Sequence, residues 1–329
     1  MTAAALVSIV VPSFNHRRFV GEAIASALAQ SYPALEVVVV DDGSTDGSQE
    51  LLRALTADPR VRLIEQENRG AHAAIARGLE LARGEVLFVL NSDDAFPPRR
   101  VERLMDELAR HPEAAAACSW IEIVDQAGAV IGRKEAWRNL PPWPQPEPGP
   151  SLSDLARPEL ALLAGNFVAT TSNLALRRAR LGELELLPLR YCHDWDFALQ
   201  LARRGLRVVE EPLVVYRVHP ANTLREGADA AAGEARMRYE ILWVVARHAP
   251  EMLAEAARQG IDRGELRARF RRSAPRFACP EVAHALLAQS ALGPGGAYRA
   301  LLEEQHPFRR AALARLREVA DRSGSAAAG

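Results

Sequence analysis

Two adjacent carboxylates, Asp93 and Asp94, directly follow an apolar run at residues 86–90. A run of this length predicts a buried strand, and acids at its end are costly to desolvate unless a cation or ligand meets them. Because neighbouring side chains on extended backbone point to opposite sides, the two acids can hold two different groups, such as a ligand hydroxyl and a divalent metal. A capped turn before a helix at residues 97–110 is the alternative interpretation.

Polar clusters also follow two earlier apolar runs. Residues 12–15 come after the run at 7–11, and the acid-rich segment 41–46 comes after the run at 36–40. The segment 41–46 is rich in turn formers and helix caps, so turn chemistry alone is one explanation for it. Its position after a predicted strand favours a ligand contact instead.

Strands and helices alternate regularly in the first part of the chain. The apolar runs are separated by segments with apolar residues at helical spacing, and they lie at residues 7–11, 36–40, 61–65 and 86–90. This alternation predicts an α/β fold with a mainly parallel, doubly wound sheet. Ligands bind beyond the carboxyl ends of such strands, so the polar clusters should converge on one crevice. No G-x-G-x-x-G follows the first run, and a metal at Asp94 is the expected partner for phosphate charge.

The composition is that of a globular protein and excludes several other classes. The chain has 329 residues, of which 48% are hydrophobic and 25% are charged, with a formal net charge of −1. This charge predicts no general affinity for nucleic acid. Three cysteines, Cys118, Cys192 and Cys279, lack metal-type spacing and fit a reducing compartment. With no export leader and no apolar run of about 18 residues, we expect a cytoplasmic protein.

Several motifs occur in a fixed order along the first two-thirds of the chain. They are Val-Ser-Ile-Val-Val-Pro-Ser-Phe-Asn at 7–15, Val-Asp-Asp-Gly-Ser-Thr-Asp at 40–46, Asn-Ser-Asp-Asp at 91–94, Gly-Asn-Phe at 165–167, Tyr-Cys-His-Asp-Trp-Asp at 191–196 and Tyr-Arg-Val-His-Pro at 216–220. Each motif alone is weak, but the ordered set resembles family 2 glycosyltransferases with the GT-A fold.

The resemblance implies a nucleotide-sugar donor site and a metal site. The residues that match the family's donor-binding positions are Pro12, Phe14, Asn15, Asp42 and Asp93. Phe14 would stack on the nucleobase, Asp42 would contact the base or ribose, and Asp93 would contact ribose or the sugar-phosphate. Asp94 falls where the family ligates Mg²⁺ or Mn²⁺. His219 either completes this metal site or is an ordinary hydrogen-bonded histidine.

The resemblance assigns the chemistry to Asp194. An acid at this place serves the family as the general base that deprotonates the acceptor hydroxyl during one inverting displacement. An N-cap of the helix that follows is the alternative role. Asp196 is either structural or faces the acceptor, and Gly165 and Asn166 match an acceptor-side loop.

Two departures from the family pattern bear on activity. Asn91 stands where many members carry the first acid of an Asp-x-Asp motif, which removes one charge near the metal. The Gln-x-x-Arg-Trp motif and the membrane spans of processive members are missing, so one sugar per encounter is expected.

We therefore expect an inverting, metal-dependent glycosyltransferase that moves a sugar, most plausibly UDP-linked, to a hydroxyl acceptor in surface polysaccharide or glycoconjugate synthesis. The acceptor would be a saccharide or a lipid-linked molecule. A sugar-nucleotide pyrophosphorylase is one alternative, although its Gly- and Arg-rich loop after the first strand is missing. A non-catalytic nucleotide-sugar-binding scaffold is another.

The predicted organisation is a catalytic domain at 1–225 and an α-helical extension at 226–329. The catalytic domain would consist of a nucleotide-binding half at 1–112 and an acceptor half at 113–225. Arginines in the extension, within residues 266–272 and 309–310, could dock on anionic lipid at the inner face of the membrane. A solvated helix face explains them equally well, and oligomer contacts are a further option.

Overall fold

The computed structural model describes residues 4–138, 152–220, 222, 230–273 and 310. Contacts divide the chain into two compact units. The sheet unit comprises Met1–Pro146, Phe167–Pro188 and His193–His219. The helical unit comprises Glu147–Asn166, Leu189–Cys192 and Pro220–Gly329. The predicted catalytic domain at 1–225 and helical extension at 226–329 stay a prediction.

The sheet unit is built on one mixed, mostly parallel sheet with the order β3-β2-β1-β4-β7-β5-β6, and β8 pairs with β5. The strands are β1 (Val7–Ser13), β2 (Leu35–Asp41), β3 (Val61–Glu65), β4 (Val86–Val89), β5 (Ala116–Asp125), β6 (Val130–Lys134), β7 (Ala175–Arg177) and β8 (Leu206–Val218). Strands β1 to β4 pair in parallel, whereas β7 is antiparallel to both β4 and β5. The predicted α/β fold with a mainly parallel sheet is confirmed.

Helices cross over between the parallel strands, as the apolar spacing predicted. The helices of the sheet unit are α1 (Val20–Leu28), α2 (Ser48–Leu55), α3 (Ala71–Leu81), α4 (Arg100–Arg110), α6 (Arg178–Leu181) and α7 (His193–Ala202). Strand β1 runs past the predicted residue 11 and includes Pro12. It pairs there with β2 only, so the missing proline N–H costs no bond to β4.

The core lies between the central strands and the helices that cover them. Every residue of β1, β2 and β4 is buried, as expected for parallel strands covered on both faces. Helix α3 packs very closely on β1, because a Cβ added at Gly78 would stand 2.2 Å from Cγ1 of Val10. The carboxyl ends of these strands therefore have a rigid base.

The helical unit contains three described α-helices: α5 (Pro158–Ala164), α8 (Ala230–Arg258) and α9 (Arg263–Ser273). The Leu152 N–H donates to Ser273 Oγ at 3.3 Å, and Arg269 pairs with Glu265 and Asp154. At least one arginine of the predicted lipid-docking run therefore has acidic partners. Every helix in the described part of the chain is too short or too polar to cross a lipid bilayer. Arg309 lies outside the described residues.

Candidate functional site

Asp94 is held by protein donors at the end of β4. Its Oδ2 accepts from Ser172 Oγ at 2.6 Å and from Thr170 Oγ1 at 3.4 Å, and its Oδ1 accepts from the Arg217 N–H at 3.1 Å. The residue is 2% exposed. Both oxygens thus have partners within the protein, and one of the carboxylate's roughly four lone-pair sites remains, on Oδ1.

Asp93 faces a different set of partners. Its Oδ2 lies 3.1 Å from Nε2 of His219. One nitrogen each from His16 and His219 and one Asp93 oxygen all lie within 4.8 Å of one another. Among the described residues, this is the one group of three or more His, Cys, Asp or Glu side chains whose atoms lie close enough together to hold a metal ion. Nδ1 of His16 also lies 2.8 Å from Ser92 Oγ, the kind of outer contact that orients a ligating imidazole.

Neighbouring side chains fix the orientation of His219. Its ring stacks on Phe19 with centroids 4.7 Å apart and meets the His16 ring edge-on at 5.7 Å. Arg217 donates from Nε to the Asp93 carbonyl at 3.2 Å and from Nη2 to the carboxylate of Glu22 at 2.6 Å. The cluster is therefore held in place before any ligand arrives.

The two adjacent acids have opposite electrostatics. Burial alone would raise the pKa of Asp93, but the hydrogen bond from His219 and the charges of His16 and His219 bring it below the usual value. Burial, and next the charge of Asp93, raise the pKa of Asp94, and its hydroxyl and amide donors only partly offset them. The pKa values of the two adjacent acids are therefore shifted in opposite directions, and the two imidazoles favour the charged form of Asp93.

This arrangement differs from the division predicted from sequence. There, Asp94 ligates the metal and Asp93 contacts the donor, whereas the structure places Asp93 against both imidazoles. Alternation along the strand predicts that the two acids diverge, but it does not say which acid meets which partner. The partners of Asp94 come from residues 170–172, a segment far away in sequence. His219 does lie in the cluster, as one of its two predicted roles requires.

Asp42 shapes the turn that leads into α3. Its Oδ1 accepts from Gln66 Nε2 at 2.7 Å and from the Arg69 N–H at 2.9 Å, and its Oδ2 accepts from the Gly70 N–H at 2.7 Å. A carboxylate has about four lone-pair sites, so one site on Oδ2 remains for the predicted base or ribose contact. That contact stays a prediction.

The loop after β1 contains the other predicted donor-binding residues. Phe14 is 42% exposed, unusual for a large aromatic side chain, whereas Pro12 is buried within β1. Asn15 has a left-handed φ of 53°. Its N–H donates to Ser44 Oγ, and its Oδ1 accepts from the Thr45 N–H. Asn15 therefore joins the loops after β1 and β2, and Phe14 remains open to a ligand.

Asp194 is the second residue of α7 and is 8% exposed. Its Oδ1 accepts from the Trp195 N–H at 2.7 Å, a local contact within the first helical turn. Asp196 is 1% exposed, and its Oδ2 accepts from Gln200 Nε2 one turn later. This bond agrees with a structural role for Asp196, which is one of its two predicted roles.

The first turn of α7 lies within electrostatic range of the strand ends. The pKa of His72, at the start of α3, is lowered first by burial and next by the charge of His193, while Asp42 acts in the opposite direction. His193 directly precedes Asp194 in the sequence. These shared interactions place the start of α7 near the turn that Asp42 holds.

Gly165 and Asn166 belong to the helical unit. Gly165 follows the last residue of α5, and its N–H donates to the carbonyls of Ala161 and Leu162 at 3.2 Å. Their predicted acceptor-side role stays a prediction.

The sequence assigned no role to His16 or Arg217, and it did not reveal that hydroxyls of residues 170–172 contact Asp94. The position of His16 directly after Asn15, in a loop at the carboxyl end of β1, was the available signal. Asn91 stands where the family pattern has an acid, and the structure shows what its side chain contacts. Its side chain exchanges hydrogen bonds with the hydroxyls of Thr170 and Thr171 at 2.9 Å, so it anchors the segment that holds Asp94.

Comparisons with known proteins identify the family of the chain. The sequence profile described as "Glycosyl transferase family 2" matches residues 8–157. An uncharacterised glycosyltransferase of Nostoc sp. is 30% identical over 235 residues, which cover 69% of this chain and 69% of that protein. The chondroitin synthase of Escherichia coli is 35% identical over 133 residues, 40% of this chain but only 19% of that protein.

A solved structure shares the fold. S. aureus TarS 1-349, in complex with UDP-GlcNAc, has a TM-score of 0.57 and 16% identity, with 97% of this chain and 92% of that chain covered. This likeness supports the GT-A-like α/β architecture. Taken with the Nostoc relative and the profile match, the comparisons show that the chain belongs to glycosyl transferase family 2 and is a transferase enzyme.

Proposed function

We propose that the chain transfers one sugar from a nucleoside-diphosphate sugar, UDP-linked in the first instance, to an acceptor hydroxyl with inversion and with the help of Mn²⁺ or Mg²⁺. The observation that carries the proposal is the cluster of His16, Asp93 and His219 at the strand ends of a family 2 member. Family membership sets aside the pyrophosphorylase alternative. The non-catalytic scaffold remains an outcome of the experiment below.

The donor set of the cluster fits a divalent cation. Carboxylate oxygen suits Mg²⁺ and Mn²⁺, and neutral imidazole is an acceptable ligand for Mn²⁺. When bound, such an ion offsets the negative charge that develops on the departing diphosphate. Asp93, His219 and His16 would hold it, and this assignment replaces the predicted ligand Asp94.

Asp194 would take the proton from the acceptor hydroxyl. In that step, the acceptor oxygen bonds to the anomeric carbon as the bond from that carbon to the phosphate oxygen breaks. The configuration inverts because there is a single displacement. The low exposure of Asp194 favours this role, since a base shielded from water keeps its strength toward a bound hydroxyl.

The nucleotide would lie over the loops after β1 and β2. Phe14 provides an exposed aromatic face for the base, and Asp42 keeps one oxygen site for the base or ribose. UDP-sugars are the first donors to test because TarS, which shares the fold, was crystallised with UDP-GlcNAc. We also propose a saccharide or lipid-linked acceptor in surface polysaccharide or glycoconjugate synthesis, with the enzyme in the cytoplasm or at the inner face of the membrane.

The experiment combines nucleotide release with binding. UDP-glucose, UDP-galactose, UDP-GlcNAc and GDP-mannose are incubated with the protein and Mn²⁺, and release of UDP or GDP is followed with water or a saccharide panel as acceptor. We expect release from at least one donor, and we expect Asp194→Asn to abolish release while binding UDP with unchanged affinity. Unchanged turnover in Asp194→Asn would remove it as the base. Binding without turnover in the wild type would favour the scaffold.

A further inference from the structure

Glu240, in the middle of α8, is a buried glutamate that captures three successive backbone N–H groups. The residue is 4% exposed. Its Oε1 accepts from the Arg190 N–H at 3.0 Å, and its Oε2 accepts from the N–H groups of Tyr191 at 2.7 Å and Cys192 at 3.1 Å. All four residues belong to the helical unit.

These bonds fix a segment that has no regular secondary structure of its own. Residues 189–192 contain no helix or strand, so their N–H groups have no ladder or helical partner to rely on. A charged acceptor makes hydrogen bonds about twice as strong as a neutral one. One side chain thus supplies what would otherwise need three separate acceptors.

The captured segment leads directly into the proposed base. Cys192 is followed by His193, the first residue of α7, and then by Asp194. Because the backbone is continuous, the last captured amide, that of Cys192, belongs to the residue directly before α7.

We propose that Glu240 is a positioning residue for sugar transfer, which fixes the backbone before α7 and thereby orients Asp194. This inference rests on the proposed function, in which Asp194 accepts the proton of the acceptor. On this proposal, α8 contributes to the reaction through Glu240.

Two substitutions at Glu240 separate capture from packing. Glu240→Gln keeps the shape and one oxygen, so it can retain the bonds to Tyr191 and Cys192 but presents an NH₂ group to the Arg190 N–H. Glu240→Ala loses all three bonds. The matched control is Glu255→Gln on the same helix, a glutamate whose carboxylate accepts hydrogen bonds from the side chains of Arg258 and Gln259.

Turnover and binding are measured together on the full-length protein. The donor that gives the fastest UDP or GDP release in the panel above is used with Mn²⁺, and the stoichiometry and affinity for UDP are measured by calorimetry. Misplacing a catalytic group by about 1 Å can cost about 100-fold in rate. We therefore expect kcat to fall about 10-fold in Glu240→Gln and about 100-fold in Glu240→Ala, with UDP stoichiometry and affinity unchanged in both and wild-type kcat in Glu255→Gln.

Amide hydrogen exchange supplies a readout that does not depend on turnover. In the peptide that covers residues 189–195, exchange should be faster in Glu240→Ala than in the wild type, and intermediate in Glu240→Gln. Unchanged exchange in this peptide, or wild-type kcat in Glu240→Ala, would overturn the proposal. A fall in UDP stoichiometry parallel to that in kcat would show a loss of folded protein and would also overturn it. If Glu240→Ala does not fold, Glu240→Gln decides both readouts.

Asp194→Asn, assayed in parallel, distinguishes the two proposals. An inactive Asp194→Asn beside a fully active Glu240→Ala overturns the positioning role alone. A fully active Asp194→Asn overturns the assignment of the base, and the positioning role falls with it.

Discussion

The carboxyl ends of β2 and β4 each carry a pair of adjacent aspartates, and the two pairs are used differently. After β2, the turn donors of residues 44–49 and 66–70 engage Asp41 and Asp42. After β4, hydroxyls engage Asp94, whereas Asp93 faces two imidazoles. Two acids at a strand end therefore do not define a metal site. The difference lies in whether backbone and hydroxyl donors or two imidazoles meet the carboxylate.

Removal of the charge on Asp93 should give the largest effect and is the most direct way to break this comparison. Even partners that only contact a metal ligand are worth about 10- to 100-fold in affinity, so Asp93→Asn should weaken Mn²⁺ binding at least about 100-fold. Free Mn²⁺ is counted by its paramagnetic resonance signal during titration. Asp94→Asn serves as the control and should bind Mn²⁺ as the wild type does. Equal losses in the two variants would mean that both acids form one site.

Asp42→Ala should lower stability, because it leaves two turn amides and Gln66 without their acceptor. Hydrogen bonds to a charged group contribute about 1.5–3 kcal/mol each, and water replaces part of this in a half-buried turn. We expect a loss of about 2 kcal/mol in the free energy of unfolding, measured with urea. Asp93→Asn should lose much less, because asparagine keeps an acceptor oxygen for His219. The reverse order would contradict the distinction between the two strand ends.

His16→Ala sharpens the comparison by removing the ligand that the sequence did not reveal. With Asp93 and His219 still in place, Mn²⁺ affinity should fall about 10-fold. His72→Ala is the matched control, since His72 lies near the β2 end and outside the cluster. Calorimetric titration with Mn²⁺ measures both. A normal affinity in His16→Ala would reduce the site to Asp93 and His219.

The smallest effect concerns Glu36, near the start of β2, where no ligand is expected. Burial would raise its pKa, but hydrogen bonds from Arg83 and Ser8 lower it below the ordinary value of 4.5. A group with a depressed folded pKa stabilises the fold above its unfolded pKa and loses that contribution as the pH falls. The free energy of unfolding, measured with urea, should be about 1 kcal/mol larger for the wild type than for Glu36→Gln at pH 7. This gap should narrow as the pH falls below about 4.5. A gap that does not narrow at all as the pH falls would show that packing, not charge, explains the difference.

The local pattern of the first four strands could be predicted because each one is a compact apolar run. Strand β3 has the predicted bounds, and β4 differs by one residue. The strands of the second half of the sheet were harder to predict from the sequence. Strand β8 spans Leu206–Val218 and pairs with β5 through an irregular register, which depends on contacts between distant segments.

The candidate site was predictable in location but not in its detailed partners. The order of the strands predicts that the polar loops share one edge of the sheet. Which aspartate turns toward the imidazoles depends on hydroxyls of residues 170–172, about 80 positions downstream. The backbone contacts of Glu240 were equally hidden, since a glutamate on a helical pattern is usually solvated.

The contact between Gly78 and Val10 joins the hydrophobic interior to the ligand-facing loops. Helix α3 starts at Ala71, immediately after the residue whose N–H is bonded to Asp42, and seven positions later Gly78 rests on Val10. A methyl group at Gly78 must lift the helix or displace the valine. The helix would carry that displacement along its length to the turn beside Asp42. Replacing one hydrogen atom of Gly78 with a methyl group would thus alter the affinity for the proposed nucleotide.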